Sequence, residues 1–260
     1  MRKLITILGF FLLTISVSGQ IINASATYRA RVSGEIVIPD SVQSGYYTRG
    51  WYEVGDGSAT YMTLDGSVLT AWKDLSGNSN DLVNAAGTDR PTWDSGNLEI
   101  DFDGADDYLS DASFAYNQPI TVYAVINIVA GATSDDIFRI NTASNGKFQI
   151  QSGDPNNILI LLGGGSFFST GASAFAWDTY YIFRTVFNND VSNGSKIQIN
   201  ANAATTGTLA TASAIVFQLP SESGSTPQMS VKAVIIRTTL DDATTQTAIV
   251  NYLNAKYSVY

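Results

Sequence analysis

The chain has 260 residues, of which 45% are hydrophobic, and it carries 23 acidic against 14 basic residues for a formal net charge of −9. It contains no cysteine and no histidine, which excludes a disulfide scaffold, thiol and Ser-His-Asp catalysis and histidine-ligated metals. So acidic a chain is expected to repel nucleic acid and anionic lipid.

The N-terminal residues have the pattern of a targeting segment. Arg2 and Lys3 precede an apolar run from Leu4 to Val17, and Val17-Ser18-Gly19 offers small residues for cleavage. This order of basic, apolar and small residues is typical of a secretory signal, and the run is shorter than the ~20 residues of a membrane span. We therefore predict a signal peptide at residues 1–19, a secreted or cell-surface protein, and no membrane span in the mature chain.

The following segment, residues 20–45, is strand-like but has no evident pairing partner in the chain. A strand without a partner presents unpaired backbone groups, and it can pair with a neighbouring molecule. We predict an N-terminal extension here, with self-association through it as a hypothesis.

From residue 46 to residue 260 the chain is a succession of short β-rich segments separated by Gly, Asn, Asp and Ser. Alternating, β-branched runs at this spacing indicate an antiparallel sandwich or barrel. The predicted strands include residues 119–130, 135–141, 146–152, 156–162, 179–187, 194–200 and 229–238. A chain of this length can bury one such core, so a single β domain is predicted.

One helix is predicted, near the C-terminal end. Either Asp241 or Asp242 can cap its start. Its apolar residues recur at helical spacing on one face, and they are Ala248, Ile249, Tyr252 and Leu253. We expect this helix to pack on the outside of the β domain.

Three segments, taken in order, carry a resemblance to a known family. They are GSVLTAWKDLSGNSNDLVN (66–84) with RPTW (90–93), IDFDGADDYLS (100–110), and VKAVIIRTTLDDATTQTAIVNYLNAKY (231–257). In this order and spacing, residues 50–260 resemble the laminin-G-like, concanavalin A-like lectin and glucanase domains of secreted bacterial proteins. The resemblance implies an all-β jelly-roll sandwich of two antiparallel sheets, which that superfamily uses to bind carbohydrate or to form surface contacts.

The segment EIDFD offers a catalytic hypothesis. Glu99, Asp101 and Asp103 alternate with apolar residues, so they share one face of a strand. The retaining glucanases of the superfamily carry Glu-x-Asp-x-Glu on such a strand, and a retaining glycosidase needs two carboxyl groups about 5–5.5 Å apart. Asp103 is one methylene shorter than the glutamate of that pattern, and it also fits the Asp-Gly turn of non-catalytic relatives. No catalytic residue is therefore favoured, and glycosidase chemistry is kept as an alternative.

Four aspartates offer a metal hypothesis. Asp101, Asp103, Asp106 and Asp107 fall around one turn, and calcium takes several oxygen ligands from such a loop. The spacing matches no EF-hand. Two interpretations stay open, a calcium site at these residues and a solvated acidic loop.

Tryptophans are candidates for stacking on a sugar. Trp72 lies in an alternating apolar segment, so we predict that it packs in the core. Trp93 and Trp177 stand beside Asp94 and Asp178 in predicted loops, where contact with a ligand competes with ordinary packing. The leading prediction is a non-catalytic β-sandwich that binds a glycan or a surface protein. The alternatives are a structural or adhesion subunit of a cell-surface or virion assembly, and a glycoside hydrolase of the β-glucanase type.

Overall fold

The computed structural model describes residues 40–43, 45–84, 89–129, 135–141, 146–151, 159–210, 214–220 and 226–260. The predicted signal peptide and the predicted extension up to residue 39 lie outside the described residues. The described residues belong to one compact unit, Ile36–Tyr260.

Seventeen strands and two helices make up the described part of the chain. The helices are α1 (Asp40–Gln43) and α2 (Ala243–Tyr257). The strands are β1 (Thr48–Glu53), β2 (Met62–Asp65), β3 (Val68–Trp72), β4 (Leu82–Val83), β5 (Thr92–Asp94), β6 (Glu99–Asp103), β7 (Leu109–Asp111), β8 (Ile120–Ile128), β9 (Asp136–Arg139), β10 (Lys147–Ile150), β11 (Leu159–Gly163), β12 (Ser166–Ser169), β13 (Tyr180–Phe187), β14 (Ser195–Ile199), β15 (Thr205–Gly207), β16 (Phe217–Leu219) and β17 (Gln228–Arg237). The prediction of an all-β chain with a helix near its C-terminal end is confirmed.

The strands pair in antiparallel fashion and fall into two groups. Sheet 1 runs β5-β6-β17-β8-β13-β14-β15, and β1 pairs with the second half of β17. Sheet 2 runs β2-β3-β4-β7-β16-β9-β10-β11-β12. Among the described strands, the pairing of Val68 with Thr92 links the two sheets.

The main core is built from inward-facing residues of both sheets. Ile100 and Phe102 of β6 belong to it from sheet 1, and Phe138 of β9 and Phe217 of β16 belong to it from sheet 2. Side chains alternate between the two faces of a strand, so each sheet gives one apolar face to this core. The strands therefore enclose their core in the manner of a sandwich or barrel.

Helix α2 packs on the other face of sheet 1. Its residues Ile249 and Leu253 form a second apolar cluster with Trp51, Tyr123 and Ile235 of the sheet. The expectation of a helix on the outside of the β domain is confirmed. In the described part of the chain, neither helix is long and apolar enough to span a membrane.

The two aspartates before α2 have different partners. Asp242 is the N-cap, because its side chain accepts a hydrogen bond from the backbone N–H of Thr245 at 2.7 Å. Asp241 instead forms an ion pair with Nε of Arg237 at 2.8 Å and accepts a hydrogen bond from the Tyr123 hydroxyl at 2.8 Å. Of the two predicted caps, Asp242 is therefore the one used.

Candidate functional site

The outer face of sheet 1, which turns away from the core, is acidic along β6. Ile100 and Phe102 are buried in the core. Glu99, Asp101 and Asp103 therefore point to the opposite face, because side chains alternate along a strand. In the structure these three carboxylates lie on one face of β6, as the alternation in the sequence predicts.

A row of polar side chains crosses the outer face at the level of Asp101. Thr92 on β5 and Ser230 on β17 lie on either side of Asp101. Asn127 on β8 is opposite Ser230, and Tyr180 on β13 is opposite Asn127. We call these five residues the polar row.

Glu99 is held by groups from two other strands. Its Oε2 accepts a hydrogen bond from the Tyr180 hydroxyl at 2.5 Å, and Nζ of Lys232 lies 3.6 Å from the same oxygen. Lys232 reaches this position because the register of β17 on β8 shifts between Val231 and Ala233, and such a bulge redirects a side chain. Burial and the hydrogen bond to Glu99 raise the pKa of Tyr180. The Glu99 carboxylate is therefore already engaged by a cation and a hydroxyl.

Asp101 belongs to a cluster with Asp94 and Glu99, whose nearest carboxylate oxygens all lie within 4.8 Å of one another. Burial raises the pKa of Asp101, although its Oδ1 accepts a hydrogen bond from Oγ of Ser230 at 2.6 Å. The backbone N–H of Gly96, 2.7 Å from Asp94 Oδ1, is the main cause of a lowered pKa at Asp94. Oxygens this close can contact one cation or several donors of one ligand.

A second cluster lies in the turn after β6, where carboxylate oxygens of Asp103, Asp106 and Asp107 also lie within 4.8 Å of one another. Asp107 is buried, and its Oδ2 accepts a hydrogen bond from the backbone N–H of Asp103 at 2.9 Å. Asp103 Oδ1 accepts one from the N–H of Ala105 at 2.8 Å. Burial raises the pKa of Asp107 to about 6. The carboxylates of Asp103 and Asp107 thus stabilise the turn through hydrogen bonds to its backbone.

The four predicted calcium ligands do not all come together. Asp103, Asp106 and Asp107 share the turn, while Asp101 lies in the other cluster. Carboxylate oxygens are the ligand type that calcium prefers, so the three residues of the turn suit the ion in chemistry. Calcium binding itself stays a prediction.

A pocket of about 450 Å³ opens beside the polar row. Its lining combines carboxylates, hydroxyls, an amide and a guanidinium with apolar carbon atoms. The lining residues are Arg90, Thr92, Asp101, Phe102, Asp103, Asp107, Val129, Gln228, Met229 and Ser230. Such a combination can hydrogen-bond a polar ligand and also contact its apolar faces.

Sequence reasoning identified Asp101 and missed the other four members of the polar row, which are Thr92, Asn127, Tyr180 and Ser230. Oδ1 of Asn127 is buried and has no hydrogen-bond partner among the described residues. An acceptor in that state costs free energy that a donor on a ligand or a water molecule can recover. The signal was present in the sequence, because Asn127 is the polar residue near the end of the otherwise apolar segment VYAVINI. What the sequence does not show is that this residue faces Ser230.

The predicted stacking residues, Trp93 and Trp177, are both partly buried and pack against the main core. Trp93 is opposite Ile100 in the pairing of β5 with β6. The ring centroid of Trp177 lies 5.0 Å from that of Phe175 in an edge-to-face contact. Neither indole is among the residues that line the pocket, and a ligand contact by either stays a prediction. Trp72 is fully buried, which confirms its predicted place in the core.

The segment WKDLSGNSND has a structural use. The Asp74 carboxylate accepts hydrogen bonds from the backbone N–H groups of Trp51 at 3.0 Å, Ser76 at 2.8 Å and Asn80 at 3.1 Å. The loop that contains Asp74 is thereby held along the edge of β1 that pairs with no described strand, and it protects this edge from pairing with another chain. This part of the family resemblance thus has a structural explanation.

No protein-family model matches the chain, and no curated protein matches it either. Solved structures do. The chain is similar to a GH54 α-L-arabinofuranosidase soaked with a cyclic sulfate inhibitor, with a TM-score of 0.58 and 11% identity over 86% of this chain and 61% of that one.

Two further solved structures have a similar fold. The binding domain of botulinum neurotoxin serotype D/C matches with a TM-score of 0.53 and 12% identity, over 82% of this chain and 53% of that one. A Trypanosoma rangeli sialidase in complex with 2,3-difluorosialic acid matches with a TM-score of 0.52 and 12% identity, over 84% of this chain and 37% of that one. The chain thus spans less than two thirds of each of these three chains, and it shares an all-β fold with parts of them.

Proposed function

We propose that this protein is a secreted, non-catalytic carbohydrate-binding module with a concanavalin A-like jelly-roll fold, and that it binds glycan in the pocket beside the polar row. One observation carries the function: the pocket is lined by closely spaced hydrogen-bonding groups from three strands, including Thr92, Asp101 and Ser230.

The chemistry of this lining suits a sugar. Neighbouring hydroxyls of a sugar ring each donate and accept, so they need donors and acceptors side by side. Carboxylates such as Asp101 accept, the Gln228 amide does both, and the Arg90 guanidinium donates. Two of the three similar structures belong to proteins named for their action on sugars, which supports a carbohydrate-related role through the fold alone.

The carboxylates favour binding over catalysis because folding already uses them. Glu99 is held by the Tyr180 hydroxyl and by Lys232, and Asp103 caps its own turn through the N–H of Ala105. A retaining glycosidase needs one carboxylate free to attack the sugar and a second free to transfer a proton.

A glycan array probed with the purified protein tests the proposal. Thr92 is exposed on β5 and lines the pocket, so we expect Thr92→Tyr to fill the pocket and to abolish binding, while a strand-compatible residue is kept. The matched control is Thr63→Tyr, an exposed strand position on β2, which we expect to bind as the wild type does. No array signal from the wild type, or equal signal from Thr92→Tyr, would contradict the proposal.

Glycoside hydrolysis is the second candidate, since carboxylate oxygens of Glu99 and Asp101 lie within 4.8 Å of each other, near the spacing that retention requires. Hydrolysis of β-1,3- and mixed-linkage glucans by the wild type and by Glu99→Gln decides between the two. We expect the wild type and Glu99→Gln to give the same result in this assay. Hydrolysis by the wild type that Glu99→Gln abolishes would show that the protein is an enzyme.

A further inference from the structure

A second polar feature, away from β6, involves Arg49 of β1. The register of β1 on β17 shifts between Thr48 and Gly50, so Arg49 lies in a bulge. A bulge turns its extra residue out of the ladder and redirects the side chain. A side chain at Gly50 would meet the Tyr52 ring at 2.6 Å, so the backbone here is shaped by close packing. The direction of Arg49 is therefore a built feature of the strand.

The guanidinium of Arg49 lies between two tyrosine rings. Its Cζ is 5.1 Å from the ring centroid of Tyr46 and 5.0 Å from that of Tyr116. Tyr116 is fixed by an edge-to-face contact with Phe114 at 4.7 Å and packs against the main core. Tyr46 is 79% exposed. One wall of this aromatic clamp is therefore rigid and the other is open to solvent.

The Arg49 side chain has no acidic partner among the described residues, although acidic residues outnumber basic ones by 23 to 14 in the chain. Its Nε is buried without a hydrogen bond in the described part of the chain. Lysines such as Lys73, Lys147 and Lys256 do lie in ion pairs. A cation that is partly desolvated by two rings and left unpaired favours an anionic ligand.

We propose that Arg49, with Tyr46 and Tyr116, binds the acidic group of a charged sugar, a carboxylate or a sulfate. The planar guanidinium donates two parallel hydrogen bonds to such an oxyanion. The exposed rings of Tyr46 and Tyr47, whose centroids are 5.3 Å apart, offer apolar surface for the C–H face of the same sugar ring. The net charge of −9 repels a long polyanion, so the ligand is an oligosaccharide with few acidic residues. That the ligand is a sugar rests on the proposed function, whereas the anion site rests on Arg49 alone.

Calorimetric titration with tri-galacturonic acid, the neutral galactose trisaccharide and a sulfated disaccharide tests this inference. We expect the wild type to bind tri-galacturonic acid about tenfold or more tightly than the neutral trisaccharide, and Arg49→Gln to lose that advantage, as expected for one charge-assisted pair. Arg49→Lys keeps the positive charge but loses the planar guanidinium, so it should keep only part of the higher affinity for tri-galacturonic acid. The sulfated disaccharide shows whether the site takes sulfate as well as carboxylate.

Two further variants separate the possible outcomes. Tyr46→Ala should weaken the binding of tri-galacturonic acid. Its thermal midpoint should stay unchanged, since the Tyr46 ring is exposed. This variant serves as the test if Arg49→Gln fails to fold. Equal affinity of the wild type for acidic and neutral trisaccharides, or full affinity in Arg49→Gln, would overturn the inference. If neutral glycan binds, and only Thr92→Tyr removes this binding, the proposed function is supported without the anion site. Acid binding that depends on Arg49 without any neutral binding would leave the anion site standing alone.

Discussion

At the scale of single residues, Asp107 makes stability depend on pH. Burial raises its pKa to about 6, whereas the pKa of an aspartate in an unfolded chain is about 3.9. Between these values the native state holds a proton that the unfolded chain has released. The contribution of Asp107 to stability is therefore greatest below this window and falls as the pH rises through it.

Asp107→Asn is expected to remove this dependence. The asparagine oxygen can still accept the hydrogen bond from the Asp103 N–H, but it carries no charge at any pH. Measured by urea unfolding in EDTA, the free energy of unfolding of the wild type minus that of the variant should fall between about pH 4 and pH 7. A difference that stays constant over this range would show that Asp107 titrates normally.

Gly104 is required by both its backbone angle and its surroundings. Its φ is +80°, and a Cβ there would lie 2.8 Å from the backbone nitrogen of Gln228. Gly66 has a similar φ of +64° with nothing within 4 Å, so Gly66→Ala serves as the control for backbone strain alone. We expect the free energy of unfolding, measured with urea, to fall by about 1 kcal/mol in Gly66→Ala. In Gly104→Ala it should fall by at least about 2 kcal/mol. Equal losses would mean that the contact with β17 relaxes without cost.

At the scale of elements, α2 depends on its cap. Asp242 accepts a hydrogen bond from the Thr245 N–H at 2.7 Å, so Asp242→Ala should lower the free energy of unfolding, because that N–H loses its partner. Asp242→Asn keeps an acceptor and should lose far less. The two variants are compared by thermal unfolding, and equal losses would show that the cap bond adds nothing.

The turn between β6 and β7 carries the calcium prediction. If Asp103, Asp106 and Asp107 bind the ion, excess calcium should raise the thermal midpoint, because a ligand that binds the native state stabilises it. Asp106→Asn should remove most of this shift, since Asp106 contributes one of the three clustered carboxylates. Glu99→Gln, in the neighbouring cluster, is the matched control and should respond as the wild type does. No shift in the wild type would leave a solvated acidic loop.

Elements were predictable where the signal is local. Helical spacing and an adjacent aspartate predict α2 and its cap, and alternation predicts that Glu99, Asp101 and Asp103 share a face of β6. The site was not predictable where it depends on register. Asp101 clusters with Glu99 and Asp94, which the pairing of β5 with β6 places opposite each other. The direction of the Arg49 side chain depends on a bulge in β1. No sequence pattern shows such pairings, because they join residues far apart in the chain.

At the scale of the whole molecule, the two proposed binding sites differ in charge. The pocket proposed for neutral sugars is lined by three aspartates, Asp101, Asp103 and Asp107, while the proposed anion site is built on the Arg49 guanidinium. We therefore expect added salt to weaken the binding of acidic sugars and to leave neutral ones nearly unchanged. Self-association through residues 20–45 stays a prediction.

The most direct test of glycan binding on sheet 1 is the location of the bound sugar. Backbone NMR shifts of the wild type, titrated with the strongest neutral glycan from the array, should change at Thr92, Asp101 and Ser230 and remain unchanged at Thr63. Changes confined to other parts of the surface, or no saturable change at all, would contradict the account.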